Sequence, residues 1–166
     1  MALTIAQGRL KELLHYNPET GVFTRLVDTG PNAKAGDVVG SKNNNGYLRV
    51  VLDGKLYALH RLAVVYMTGK MPEGDVDHAN GDKADNRWSN LRPCSRAQNM
   101  ANSKRQVNNK SGFKGVCYDA RGQKNWRAQI SVANKKVYLG SFDTAQDAHL
   151  AYIAAANKFH GEYAKV

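Results

Sequence analysis

The stretch Ser103-Lys104-Arg105-Gln106-Val107-Asn108-Asn109-Lys110-Ser111-Gly112 has Val107 as its one sizeable apolar side chain. Such a segment adds almost nothing to a core, and hydrophobic patterning stands on both sides of it. A chain of 166 residues interrupted in this way is expected to fold around two modest cores rather than one. The expected division is a module at residues 1–102, a basic linker at 103–112 and a second module at 113–166.

In the first module, apolar spacing over Ile5 to Leu14 predicts a helix. Tyr16-Asn17-Pro18-Glu19-Thr20-Gly21 reads as a turn and Val22 to Leu26 as a strand. Residues 28–46, rich in glycine and asparagine, read as loop. Tyr47 to Leu52 and Lys55 to Leu59 flank Asp53-Gly54, the signature of a tight β-hairpin. His60 to Met67 continues as a short helix that stops near Gly69. Val76 to His78 and Leu91 to Cys94 are short strands. Ser95 followed by Gln98 is a capping box that opens a helix from Arg96 to about Asn102.

In the second module, Phe113 to Tyr118, Asn125 to Val132 and Lys135 to Leu139 read as three strands. Period two puts Trp126, Ala128, Ile130 and Val132 on one face, and Arg127, Gln129 and Ser131 on the other. Val137 and Leu139 likewise oppose Lys136 and Tyr138. Asp143 with Gln146 signals a helix start, and Ala145, Ala148, Tyr152, Ala155 and Phe159 form its apolar face. Gly161 is the expected stop. The fold class is therefore α+β.

Charge narrows the partner. The formal net charge is +10, which favours an anionic ligand. It is uneven: the balance is −1 over residues 71–100 and +7 over residues 101–166. An acidic centre suits a cation, and a basic C-terminal third suits a polyanion. Two cysteines, Cys94 and Cys117, make neither a disulfide framework nor a structural zinc site. No signal peptide is evident, and no apolar run approaches the about 20 residues that span a bilayer. A reducing, cytoplasmic setting is expected.

The acidic centre holds Val76-Asp77-His78-Ala79-Asn80-Gly81-Asp82, then Asn86, Asn90-Leu91-Arg92 and Asn99. Hydrolysing a phosphodiester needs a base for water, stabilisation of the phosphorane charge, and stabilisation of the leaving oxygen. A neutral imidazole such as His78 suits the first task, because its pKa lies near working pH. One divalent ion performs the other two. Asp77 offers an anionic oxygen and Asn99 a neutral one, donors that suit Mg²⁺ or Mn²⁺. Neighbours on a strand point to opposite faces, so Asp77 and His78 serve one phosphate only if the strand end is twisted or loop-like.

The run His60-Arg61-Leu62, Val76 to Lys83, Asp85-Asn86, Asn90-Leu91-Arg92 and Gln98-Asn99 closely resembles the HNH endonucleases of phage and intron homing type. The resemblance implies a ββα-metal fold, with His78 as general base and Asp77 and Asn99 as metal ligands. It implies Asn90 as the residue that braces the loop and orients the imidazole. Asn80 and Asn86 match loop asparagines of the family, and His60-Arg61 its upstream pair, read as helix packing or a phosphate contact. The Tyr16, Pro18, Gly21 and Phe23 positions and Gly46-Tyr47 are similar to the region preceding such cores.

A second resemblance covers residues 112–160. Lys114-Gly115-Val116, Trp126 to Ile130, Tyr138 to Thr144 and the alanines around Tyr152 resemble the Apetala-type, ethylene-response-factor DNA-binding domain. That domain lays a three-stranded antiparallel sheet in the major groove. The resemblance implies DNA contacts from Lys114, Arg127, Gln129, Lys136 and Tyr138, and phosphate contacts from Arg121 and Lys124. Cys117, Asp119 and Ser131 stand where plant members usually carry arginine. Lys104 and Arg105 in the linker are further candidate DNA contacts.

Together these readings describe a ββα-metal nuclease core followed by a small sheet-plus-helix DNA-binding module. The expected activity is metal-dependent, site-preferring endonuclease nicking or cleavage of double-stranded DNA, with one Mg²⁺ (or Mn²⁺); a single active site predicts a nick in one strand per binding event unless the protein dimerises. No membrane and no small-molecule substrate are expected, and monomer and homodimer are both open. By resemblance the setting is the cytoplasm of a phage-infected bacterial host. The competing class is a DNA-binding regulator with an inactive nuclease centre.

Overall fold

The computed structural model describes residues 5–102, 109–120, 124–133 and 135–164. The chain forms two compact units, Met1–Pro93 and Cys94–Val166.

The first unit opens with α1 (Gln7–Leu13), which runs directly into β1 (Leu14–Tyr16). After the turn comes β2 (Phe23–Arg25), which pairs antiparallel with β1. The segment expected to be all loop instead contains β3 (Val38–Val39) and β4 (Ser41–Lys42). Each two-residue strand is held by a neighbour: β3 pairs with β2, and β4 with β5 (Leu48–Leu52). The β2–β3 pairing joins Phe23 to Val39 across a long loop, whereas β4 and β5 form a local hairpin around the Asn43–Tyr47 turn, with Lys42 opposite Leu48.

The hairpin of β5 and β6 (Lys55–Ala58) forms as expected. Asp53 and Gly54 have φ of 48° and 75°, the two positive values that a type I′ turn requires. Then α2 (Leu59–Thr68) begins without a break and ends on Gly69 in the left-handed conformation. Leu59, Leu62, Ala63 and Val65 of α2 are buried with Leu10, Leu14, Phe23 and Val50 in one core. Each such aliphatic or aromatic side chain contributes about 1.5–3 kcal/mol by leaving water. That core carries β7 (Asp75–His78) and β8 (Leu91–Cys94), a two-stranded sheet anchored by buried Val76 and Leu91.

The second unit opens with α3 (Arg96–Ala101). Its capping box is complete: Ser95 Oγ accepts from the Gln98 amide at 3.3 Å, and Gln98 Oε1 accepts from the Ser95 amide at 2.8 Å. The helix lies against the C-terminal helix of the same unit. The contacts that gather α3 into this unit are tertiary, so the compact division falls at residues 93/94.

The remaining elements are β9 (Val116–Tyr118), β10 (Trp126–Val132), β11 (Lys135–Phe142) and α4 (Ala145–His160). The sheet is antiparallel in the order β11-β10-β9. Ala128 and Ile130 of β10 are buried against Ala148, Tyr152 and Ala156 of α4. β11 runs three residues beyond the expected Leu139, because a bulge near Gly140 (φ 134°) lets Ser141 and Phe142 keep pairing with β10.

Two expectations for α4 are corrected. Thr144, not Asp143, is the N-cap; its hydroxyl accepts from the Asp147 amide at 3.1 Å and donates to Asp147 Oδ2 at 2.7 Å. Phe159, expected on the apolar face, is 45% exposed, because the buried face turns through Ala156 instead.

Candidate active site

The site is built on the β7–β8 hairpin and its connecting loop. The loop is held by its own amide and carboxylate side chains. Asn80 Oδ1 accepts from the Asp82 amide at 2.8 Å, and Asp82 Oδ1 from the Ala84 amide at 3.0 Å. Asn80 Nδ2 donates to Asp85 Oδ2 at 2.8 Å. The Arg87 guanidinium beside Asp85 is the largest influence holding that carboxyl down at about 2.

Asn90 braces this loop across its base. Its Oδ1 accepts from the Asn80 amide at 2.9 Å and its Nδ2 donates to the Asp85 carbonyl at 2.8 Å. Its own carbonyl accepts from the Ala79 amide at 2.9 Å. These contacts tie the start of the loop to Asp85 through one side chain. The side chain that bonds the imidazole is Asn86. Asn86 Oδ1 lies 3.2 Å from His78 Nε2. A hydrogen bond that spans eight residues of loop leaves no periodic signal, although Asp85-Asn86 was visible as part of the motif.

His78 is 3% exposed. Its ring packs against His60 and Tyr47, with centroids 5.2 and 5.8 Å away. Burial lowers its pKa, opposed by the Asn86 hydrogen bond and the charge of Asp77. His60 is pushed further, to about 3, by burial first and then by His78 and Arg61. Both rings are thus neutral at neutral pH, the state a general base requires. The Lys83 ammonium lies 4.8 Å from the Tyr47 ring centroid. Arg61 donates to the carbonyls of Pro72 at 2.6 Å and Gly74 at 2.9 Å, and so shapes the approach to β7.

Asp77 is 5% exposed, and its Oδ2 accepts from Arg92 Nε at 2.9 Å and Nη2 at 2.8 Å. The pair lies across β7 and β8. Arg92 bonds Asp77 and Asn86 bonds His78, different partners on the two faces of the strand. Among the described residues no group of three or more His, Cys, Asp or Glu side chains gathers as a preformed cage. Asp77 offers one carboxylate, and a water-rich Mg²⁺ uses one or two carboxylates plus substrate phosphate. Asn99 lies half-buried on α3, in the second unit.

On the second unit's sheet, Arg127, Ser131, Lys136 and Tyr138 are exposed and Gln129 half-buried, on the side away from α4. Register sets Gln129 opposite Tyr138 and Ser131 opposite Lys136. The Arg127 guanidinium lies 5.2 Å from the Tyr138 ring centroid and bonds Asp119 Oδ2 at 2.9 Å. Lys124 pairs with Asp143 at 3.0 Å. Lys114 donates to the Ala101 carbonyl at 2.6 Å, a bond to the end of α3. Lys104, Arg105 and Arg121 lie outside the described residues.

A β7–β8 hairpin bearing a buried carboxylate–imidazole pair, followed in sequence by a short capped helix, is the arrangement of a ββα nuclease core. Residues 57–101 match the HNH endonuclease family model, and residues 111–162 match the AP2 domain model. The chain thus carries an HNH endonuclease domain followed by an AP2 domain. It is also similar to a solved structure described as DNA binding and cleavage by the HNH homing endonuclease I-HmuI, at 23% identity and a TM-score of 0.41. That similarity covers 54% of this chain and 51% of the other, about half of each. Among the described residues no helix is long and apolar enough to cross a membrane.

Proposed function

We propose that this protein is a metal-dependent DNA endonuclease of HNH homing type, nicking double-stranded DNA held by its AP2 sheet. The observation that carries this reading is the buried, neutral His78 beside Asp77 on a hairpin within the HNH match. His78 takes a proton from the attacking water. Asp77 and Asn99 would hold one Mg²⁺, which when bound supplies charge stabilisation at the phosphorus and the leaving oxygen. Asn90 keeps the loop closed so that Asp77 and His78 stay in register with their supports. Arg127, Gln129, Lys136 and Tyr138 meet DNA from the sheet, with Lys114 and Lys124 as further contacts, and Lys104, Arg105 and Arg121 as DNA contacts that the sequence alone offers.

The exposed Arg127–Tyr138 surface suits DNA because its groups are either weakly paired or unhindered. An exposed ion pair such as Arg127–Asp119 is worth about 0–1 kcal/mol, so a phosphate or a base edge can displace the carboxylate. The test is incubation of the purified protein with supercoiled plasmid, with and without Mg²⁺. Mg²⁺-dependent conversion to nicked circles, lost in His78→Ala with binding retained, supports the reading. Equal nicking by His78→Ala refutes the base.

One observation favours the second reading, a DNA-binding regulator with a silent centre: Arg92 already occupies Asp77 Oδ2. On that reading the protein binds DNA but leaves plasmid intact at any Mg²⁺ concentration.

A further inference from the structure

Asn86 is 1% exposed, yet its Nδ2 has no hydrogen-bond partner among the described residues. Its one side-chain hydrogen bond in the described structure is Oδ1 to His78 Nε2 at 3.2 Å. An amide held this deeply for a single bond needs a rigid backbone, and the backbone is clamped from outside the loop. The Tyr16 hydroxyl donates to the Asn86 carbonyl at 2.7 Å. The Trp88 amide donates to the Pro18 carbonyl at 2.8 Å. A Cβ on Gly21, which has φ of 74°, would lie 2.5 Å from both Asn86 C and Arg87 N. Only glycine lets the two backbones meet so closely.

The turn that presents these contacts is itself fixed. Asn17 Oδ1 accepts from the amides of Glu19 and Thr20 at 2.9 and 3.1 Å, and the Asn17 carbonyl accepts from the Gly21 amide at 2.9 Å. Tyr16 stacks on Phe23 with centroids 4.5 Å apart. All of this lies outside residues 57–101, the span of the HNH match.

We propose that Asn86, clamped by Tyr16 and the Asn17–Gly21 turn, is a positioning residue that locks His78 as its Nε2–H tautomer and makes Nδ1 the proton acceptor. An amide oxygen only accepts, so the nitrogen facing it must carry the hydrogen. The basic lone pair is then on Nδ1. In the cleavage step a water O–H bond breaks and its proton goes to Nδ1; the oxygen keeps the electron pair and forms a bond to phosphorus, while the P–O bond to the leaving 3′ oxygen breaks, that oxygen keeping its pair and taking a proton from solvent water. The resulting imidazolium keeps Nε2–H on Asn86 Oδ1, now as a stronger, charge-assisted bond, and returns the Nδ1 proton to solvent. The inference rests on His78 being the base.

The test uses the full chain labelled with ¹⁵N-histidine, with His78→Gln to assign the ring signals among five histidines. At a pH above the ordinary imidazole pKa of about 6.5, wild type is expected to show a protonated Nε2 and a pyridine-type Nδ1. Asn86→Ala is expected to give mixed tautomers and a kcat lowered about a hundredfold with KM for DNA little changed. Asn86→Asp, which keeps an acceptor at that atom, is expected to keep the tautomer and recover most of kcat. Tyr16→Phe removes only one hydroxyl and so guards against an unfolded Asn86→Ala; it is expected to mix the tautomers and lower kcat about tenfold.

A protonated Nδ1 in wild type overturns the proposal. So does loss of kcat in Asn86→Ala or Tyr16→Phe with the tautomer unchanged, which would mark a purely structural role. If wild type shows the Nε2–H tautomer, dependent on Asn86, but never cleaves DNA, the nuclease reading falls while the lock on His78 stands.

Discussion

Around His78 the polar side chains are sequestered: His78, Asp77, Asn86 and Asn90 are each less than a tenth exposed, and each bonds another protein group. On the sheet of the second unit the polar side chains stand in water, with Tyr138 56% exposed and the Arg127 side chain 45% exposed. The physics of the two regions differs accordingly. Leaving a buried polar group unpaired costs about 1–3 kcal/mol, and a buried charge more. An exposed ion pair returns about 0–1 kcal/mol. The first region is therefore stiff and specific in geometry, as proton transfer demands. The second can exchange partners, as a surface that docks on a polyanion must.

Four measurements would break or sharpen that contrast. The largest effect is expected at His78. His78→Ala should lower the nicking rate by at least about 10²–10⁴-fold, the worth of a general base, while gel-shift affinity for DNA stays near wild type. A loss of binding as large as the loss of cleavage would erase the division of labour.

Asp77 should act on stability as well as activity. Asp77→Ala leaves the Arg92 guanidinium without its buried carboxylate, at a cost of about 3–5 kcal/mol in a urea melt. It should also abolish Mg²⁺-dependent nicking. Removing both partners together, Asp77→Ala with Arg92→Ala, should recover part of the stability and none of the activity. Full stability in the single variant would show that the pair is not the buried linkage its geometry describes.

The third effect follows from the buried imidazoles. His60 has a folded pKa of about 3 against about 6.5 in the unfolded chain. Below about pH 6.5 the unfolded chain binds a proton that the folded chain refuses. Stability is therefore full above that pH and lost as pH falls toward the folded value. Between about pH 6.5 and pH 5 the loss is about 2 kcal/mol from His60, with a contribution of the same sign from His78. The depressed carboxyl of Asp85 acts in the same direction, but only as pH falls through the carboxylate range toward about 2. Urea melts across this interval, repeated in His60→Phe, measure the slope; an unchanged slope in the variant would assign the proton uptake elsewhere.

The smallest effects belong to the sheet. Arg127→Ala and Lys136→Ala should each reduce the slope of log affinity against log salt by about one, with nicking chemistry unaltered once DNA is saturating. Asp119→Ala, by releasing Arg127, should strengthen binding slightly at low salt. If these substitutions leave the salt slope untouched, the exposed face is an ordinary solvated surface.

Much of the fold was legible because its signals are local. Asp53-Gly54 dictates a turn whose two residues need positive φ. Ser95 and Gln98 satisfy each other's amides within one helical turn. Period-two burial along Trp126 to Val132 marks the inner face of a sheet. The misses are equally physical. Strand β3 exists through pairing with β2 across a long loop, and β4 is only two residues of a hairpin whose Asn43–Gly46 turn reads as loop. Thr144 outcompetes Asp143 for the cap because its hydroxyl reaches the Asp147 amide. Phe159 is exposed although its spacing fits the apolar face.

The site divides along the same line. Residue chemistry alone pointed to His78, Asp77 and Asn99 as groups suited to phosphodiester hydrolysis, and to a polyanion for the basic C-terminal third; the family resemblances added Asn90 and DNA. Which side chain supports which was settled in three dimensions. Asn86 bonds the imidazole, Arg92 engages Asp77, and Tyr16 with Gly21 pins the loop from seventy or so positions upstream. Local propensity acts over a few residues of backbone, so it is written in sequence. Hydrogen-bond partnership and burial depend on which distant segments the core brings together, and only the folded chain decides that.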